Sequence, residues 1–275
     1  MCRITRAFAQ KAKIVYLTAG DDGVVDENCL ISMSNSVATT DTIAAAINAS
    51  VEYFLALVNS GVNILEIGVP FSDPVADGAT IQLAMTRALK NGINFNHVLE
   101  IVKRVRDKSE VALVLFTYYN PICINLAEFL SAAKMAGADG ILVVDLPLEE
   151  SDEFSRLCRQ IGLAHIMVAS ASTSLERTLL LSRNGSGFLY YACRRGTTGV
   201  RNDLADDLIA RIKQVKESSD LPVAVGFGVS NNNMVQQILS IADGCVVGSY
   251  FVDKIAKGIS PQNLGQMAGE MFNVD

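Results

Sequence analysis

The sequence predicts an α/β fold, a single (β/α)8 barrel with an enlarged first βα loop, and three observations predict it. Eight short runs of β-branched and aliphatic residues recur along 275 residues, the usual size of such a barrel. Most runs are apolar throughout rather than alternating, as parallel strands covered on both faces require. Amphipathic stretches of helical period separate them, and no GxGxxG turn follows the first strand, as an open doubly wound sheet would more often show. Without a linker or an internal repeat, residues 1–275 read as one TIM-barrel domain.

The elements follow in order. The first run, Lys13–Leu17, leads through TAGD into the one stretch that breaks the rhythm, residues 21–42 (DDGVVDENCLISMSNSVATTDT), which carry no lysine or arginine. Connections longer than about 12–15 residues are uncommon in compact domains and are often functional. A helix then presents Ile43, Ile47, Val51, Phe54, Leu55 and Val58 on one face and stops at Gly61, a residue type favoured just past a helix end. Ile64–Val69 and Val111–Tyr118 read as the second and third strands, and the helix Leu126–Met135 ends at Gly137. Gly140–Asp145, His165–Ala169 and Gly187–Ala192 form the next three strands. A helix over Leu204–Val215, ending in SSDLP, precedes Pro222–Gly226 and Gly244–Gly248.

Composition narrows the chemistry. Half of the residues are hydrophobic and the net charge is −6, which excludes disorder. No basic stripe marks the chain as a nucleic-acid binder. Two histidines leave little room for a zinc enzyme or a Ser-His-Asp hydrolase. The six cysteines, at 2, 29, 123, 158, 193 and 245, form no CxxC pair and read as reduced thiols of a cytoplasmic protein. The N-terminus lacks the apolar core of a signal peptide, and no apolar run approaches the roughly 20 residues of a membrane helix.

In a barrel the working residues sit where the strands end. Glu66 lies inside the second strand (ILEIGVP), and burying an unpaired carboxylate costs several kcal/mol. Alternation sets it on one face with Ile64 and Gly68, and a closed barrel has no edge strand to expose it. It is therefore expected to point inward near the barrel mouth. Two carboxylates follow at Asp73 and Asp77, both in turn-forming contexts. Asp77 also precedes a helix and is a candidate cap for it. Glycines recur after the sixth, seventh and eighth strands, in RRGTTG, VGFGVS and VGS, where exposed backbone N–H groups suit a phosphate ester. His97 and His165 are assigned to structure. No strand carries an internal lysine, which argues against a Schiff-base aldolase.

These residues together resemble a known family. EIGVPFSDPVADGATIQ, with TAGD, YYNP and VVDLPLEES before and after it and RRGTTG, VGFGVS and VGS beyond, is similar to the tryptophan synthase alpha chain over nearly the whole length. The resemblance implies a lyase that cleaves indole-3-glycerol phosphate to indole and glyceraldehyde 3-phosphate without a cofactor of its own. It implies Glu66 as the proton-transfer group, Asp77 as support for the indole nitrogen and Tyr190 as a hydrogen-bonding tyrosine. Tyr16 and Phe116 would wall the indole, and Thr198 would lock onto Asp77 on closure. Phosphate contacts carry over to Gly199, Phe227, Gly228, Gly248 and Ser249. The expected partner is a beta chain carrying PLP, in an alpha2-beta2 tetramer, contacted by Asp73. Departures from the family pattern stand at Asp22, Ala79, Cys193 and Arg195, and in roughly 20 additional residues in the first loop. That 21–42 insertion is expected on the catalytic face, against the beta chain or over the site.

Overall fold

Eight parallel strands close into a barrel in sequence order, the eighth pairing with the first. The computed structural model describes residues 1–23, 38–193, 206–226 and 228–273. The strands are β1 (Ala12–Thr18), β2 (Ile64–Gly68), β3 (Ala112–Thr117) and β4 (Gly140–Val143). They continue with β5 (Ala164–Ser170), β6 (Leu189–Ala192), β7 (Val223–Gly226) and β8 (Gly244–Val247). A short helix α1 (Arg3–Phe8) precedes the barrel, and α2 (Thr40–Asn59) follows β1. Two helices, α3 (Ala79–Lys90) and α4 (Phe95–Arg106), follow β2. Among the described residues one α-helix follows each of the next five strands: α5 (Leu126–Ala136), α6 (Asp152–Ile161), α7 (Leu175–Asn184), α8 (Asp206–Glu217) and α9 (Asn232–Ile241). The chain returns after β8 through α10 (Ser249–Ala256) and α11 (Pro261–Met271).

The fold therefore matches the eight-stranded barrel that the apolar runs predict, each strand boundary agreeing within two residues. The reason is visible in the burial. β2, β3, β4 and β8 are buried at every position, because helices cover the outside while side chains fill the inside. Helix ends are set by local chemistry. Gly137 ends α5 at φ 105°, a conformation that costs an L side chain strain. Asn94 and His97 form a capping box at the start of α4, the ring Nδ1 accepting from the Asn94 N–H, so His97 is spoken for. His165 is buried in β5, bonded to Ser155 at 2.8 Å and packed edge-on against Phe154. Desolvation lowers its pKa to about 4. Both histidines are structural, as expected.

Two expectations need correction. Residues 40–42 do not belong to the first loop: they form the first turn of α2, capped by Thr39, whose hydroxyl accepts from the Thr42 N–H at 3.2 Å. The same helix is, by length and composition, apolar enough to cross a membrane, 20 residues at a mean hydropathy of 1.3, although no such run was expected. Alanine is the cause, and the helix sits in the barrel's outer ring against α4 and α11, burying Ala46, Ile47, Val51, Tyr53, Phe54 and Leu57.

The first loop leaves the barrel at a buried ion pair. Arg87 of α3 donates twice to Asp21, at 2.6 and 2.7 Å, and the Gly23 N–H donates to the same carboxylate. Asp21 is only 2% exposed. The remaining positions of the expected insertion, 24–37, lie outside the described residues, and with them the expected contact with the site.

Candidate active site

The carboxyl ends of the strands surround a cavity of about 270 Å³ lined by Tyr16, Glu66, Asp77, Phe116, Tyr190, Gly228, Gly248 and Ser249, together with Ala76, Ile81 and Cys193. Eight of the residues singled out in the sequence thus meet at one place. Thr198, Gly199 and Phe227 lie outside the described residues, as do Arg194 and Arg195.

Glu66 is the centre residue of β2, between Tyr16 on β1 and Val114 on β3 in the strand register. It is fully buried, and neither carboxylate oxygen has a hydrogen-bond partner among the described residues. Such isolation favours the neutral acid, because charge transferred out of water without a partner is strongly penalised. Burial alone raises its pKa to about 8.

Asp77 belongs to the loop between β2 and α3. It does not cap α3 as the sequence suggested: Gly78 is the cap residue and no side chain bonds there. The Asp77 carboxylate instead accepts a 2.6 Å hydrogen bond from the Tyr118 hydroxyl. Burial raises the Asp77 pKa and the Tyr118 bond opposes the rise. Tyr118 is the residue that sequence reasoning missed. Its signal was the YYNP segment after the third strand, but nothing in that segment says which tyrosine reaches across to the neighbouring loop.

Two aromatic rings are seated by glycines on the next strand. A Cβ on Gly68 would meet the Tyr16 hydroxyl and lie 2.6 Å from its Cζ, and a Cβ on Gly226 would meet the Tyr190 hydroxyl and lie 2.7 Å from its Cζ. Only a residue without a side chain leaves those rings room. Tyr16 also packs edge-on to Phe116, ring centres 5.2 Å apart, and its hydroxyl shares a 3.2 Å hydrogen bond with Thr18. Both tyrosine hydroxyls are held protonated, their pKa raised by burial first and by the nearby carboxylates second.

At the end of β8, two strands round the barrel from Glu66, Gly248 caps α10 and Ser249 begins it. Free N–H groups at a helix start, with the helix dipole behind them, attract anions. Gly228 adds backbone from the β7 end, at φ 43°. Asp73 is not in the cavity. It stands exposed on the rim, bonded by the Ser72 hydroxyl. Among the described residues, no three His, Cys, Asp or Glu side chains converge to hold a metal.

The family model described as "Tryptophan synthase alpha chain" matches residues 36–271. The chain belongs to the tryptophan synthase alpha chain family. It is 42% identical to the alpha chain of Coxiella burnetii (strain CbuK_Q154) over 269 residues, covering 98% of this chain and 96% of that one. With the alpha chain of Opitutus terrae it shares 38% identity over 283 aligned positions, covering 98% of both. Among solved structures, the alpha subunit from Legionella pneumophila superposes with a TM-score of 0.81 at 33% identity, over 98% of this chain and 97% of the other. A chain from the tryptophan synthase a2b2 complex of Pyrococcus furiosus also gives 0.81 at 33% identity, over 96% of this chain and 98% of that chain. As an alpha-chain family member, the molecule is an enzyme subunit built on a (β/α)8 barrel.

Proposed function

We propose that this chain cleaves indole-3-glycerol phosphate to indole and glyceraldehyde 3-phosphate, as the alpha subunit of a cytoplasmic tryptophan synthase. The observation that carries the reading is Glu66: a buried carboxyl without a hydrogen-bond partner among the described residues and with a pKa near 8, in a cavity also lined by Asp77 and by the start of α10.

The chemistry follows from those protonation states. At neutral pH Glu66 begins as the neutral acid and can deliver its proton to the indole ring carbon that bears the side chain. The ring becomes indolenine-like and its N–H grows acidic. An ionised Asp77 stabilises that charge electrostatically. The Glu66 carboxylate then takes the proton of the glycerol hydroxyl next to the breaking bond, the carbon–carbon bond cleaves, and the electron pair returns to the ring. Indole and the aldehyde leave, and Glu66 is again protonated, so one carboxyl serves as acid and base in one cycle. A working pKa close to the operating pH suits both halves. Tyr190 contributes a hydroxyl that stays protonated, Tyr16 and Phe116 supply an apolar wall, and Gly228, Gly248 and Ser249 hold the phosphate. Thr198, Gly199 and Phe227 are assigned to substrate closure and phosphate contact on the resemblance alone.

The reading includes a beta-chain partner in an alpha2-beta2 tetramer, with pyridoxal phosphate in the beta chain and no cofactor here. On the rim Asp73 is exposed, Val75 beside it is 82% exposed, and Ile124 in the β3–α5 loop is 92% exposed. Single exposed apolar side chains are common on monomer surfaces, so the assignment of this face to the beta chain rests on the family resemblance.

Indole release from indole-3-glycerol phosphate, measured with and without a beta chain, tests the proposal. Release that rises with the beta chain is expected, and Glu66→Gln should abolish it while phosphate-ligand binding survives. Equal high activity without a partner would indicate a stand-alone lyase, and beta-chain activation without cleavage would indicate a scaffold. Turnover by Glu66→Gln would overturn the assignment of the proton.

A further inference from the structure

Asp77 is useful to the proposed reaction only as an oriented anion, yet it sits in a loop rather than on a strand, and its burial favours the neutral form. Something must hold it. Residue 118 directly follows the last residue of β3, so the barrel fixes its position. Its side chain is 1% exposed. The hydroxyl donates to Asp77 Oδ2 at 2.6 Å and accepts from the Ala76 N–H at 3.1 Å. One oxygen atom thereby grips two consecutive loop residues. The ring packs against Phe71 at the other end of the same loop, centres 5.1 Å apart and planes inclined by 32°.

We propose that Tyr118 is a positioning residue: it ties the loop of residues 70–78 to the end of β3 and holds the Asp77 carboxylate ionised and oriented for the indole nitrogen. The inference rests on the lyase reading for what Asp77 does, but not for how Tyr118 holds it. A ring serving packing alone would need no hydroxyl. Here the hydroxyl occupies Oδ2, which leaves Oδ1 for a substrate N–H. A phenol keeps its proton across the working pH range, the more so beside a carboxylate, so the bond persists while Asp77 titrates. Donation to the charged form favours that form.

Tyr118→Phe keeps the ring and removes the grip. Two readouts decide: the pH profile of indole release, and the titration of the Asp77 carboxyl followed by NMR with labelled aspartate. The expected result is a ten- to hundredfold fall in kcat, KM within about threefold, and an acid limb moved to higher pH by about 1 pH unit, a tenfold change in the acid constant. The Asp77 titration should move the same way. A KM change alone, or a fall in kcat with an unmoved limb and titration, overturns the proposal. Should the Phe variant fail to fold, 3-fluorotyrosine at position 118, a more acidic donor of nearly the same shape, should move the Asp77 titration to lower pH; no movement refutes the inference. If the wild-type protein releases no indole, the lyase reading falls, and the Asp77 titration still decides the role of Tyr118.

Discussion

Glu66→Gln should make the protein more stable while ending its proposed activity, and the gain should depend on pH in a defined way. The carboxyl titrates near 4.5 when the chain is unfolded and near 8 in the fold, with burial as the cause. Between those values the unfolded chain has released the proton and the folded chain still holds it. The unfolded state therefore binds fewer protons, and stability falls as pH rises through the interval. At 1.36 kcal/mol per pH unit, the penalty is about 3 kcal/mol at pH 7 and levels off near about 5 kcal/mol above pH 8.

Glutamine fills the same space and cannot ionise. Its amide would be as unpartnered as the protonated acid, since neither Glu66 oxygen has a bond to inherit among the described residues, so that cost cancels in the comparison. Urea or thermal melts of both proteins at half-unit steps from pH 4.5 to 9 measure the difference. The two should coincide near pH 4.5 and separate steadily, with the variant melting about 6–10 °C higher at pH 7. A pH-independent difference, or a wild type whose stability does not fall between pH 5 and 8, would refute the burial argument. Stabilisation on removing Glu66 would be the sign of a site that carries strain for its proposed function.

Two further outcomes follow from packing and burial. Gly68→Ala should drive a methyl group into the Tyr16 ring, raising the KM for indole release by about tenfold, while Tyr16→Ala in the same chain should return most of the fold stability lost; an unchanged KM would show that the ring does not define the indole wall. His165, held neutral with a pKa near 4, has the opposite sign to Glu66 in the acid range. There the unfolded chain binds the proton first, so stability drops as pH falls from about 6.5 to 4, by about 3 kcal/mol in all. Replacing it with Asn should flatten that limb of a pH–stability curve, and an unaltered limb would place the acid sensitivity elsewhere.

Much of this was legible in the sequence for a physical reason. A strand covered on both faces must be apolar throughout, so eight such runs announce the barrel, and one glutamate inside such a run announces an expensive group with a task. The sequence also points to the end of the eighth strand, because glycines recur after the sixth, seventh and eighth strands, whereas the naming of Gly248 and Ser249 as phosphate contacts comes from the family resemblance. What it hides is contact across loops. Asp77 looks like a helix cap in a linear reading, since carboxylates before helices usually are; the structure spends it on Tyr118, 41 positions away. The Asp21–Arg87 pair is hidden likewise, across 66 positions. Neither partner is in a local pattern, so neither pairing has a periodicity to betray it. The start of α2 was misread for a simpler cause: three polar residues, Thr40 to Thr42, look like loop until Thr39 is seen to cap them.

The clamp at the root of the first loop bears on how this barrel can change over evolutionary time. On one side the chain is fixed by Asp21 and Arg87, with Gly23 pressed so closely to the Ile255 backbone that a Cβ would collide. On the other side Thr39 and α2 fix it again. When both roots of a connection are anchored, the entropy of closing it grows only with the logarithm of its length, about 0.6 kcal/mol for each doubling. Residues can be added or lost between those anchors with little effect on the strands that carry Glu66 and Tyr16. The first βα loop is thus a position where length can change at little cost to the barrel that it joins.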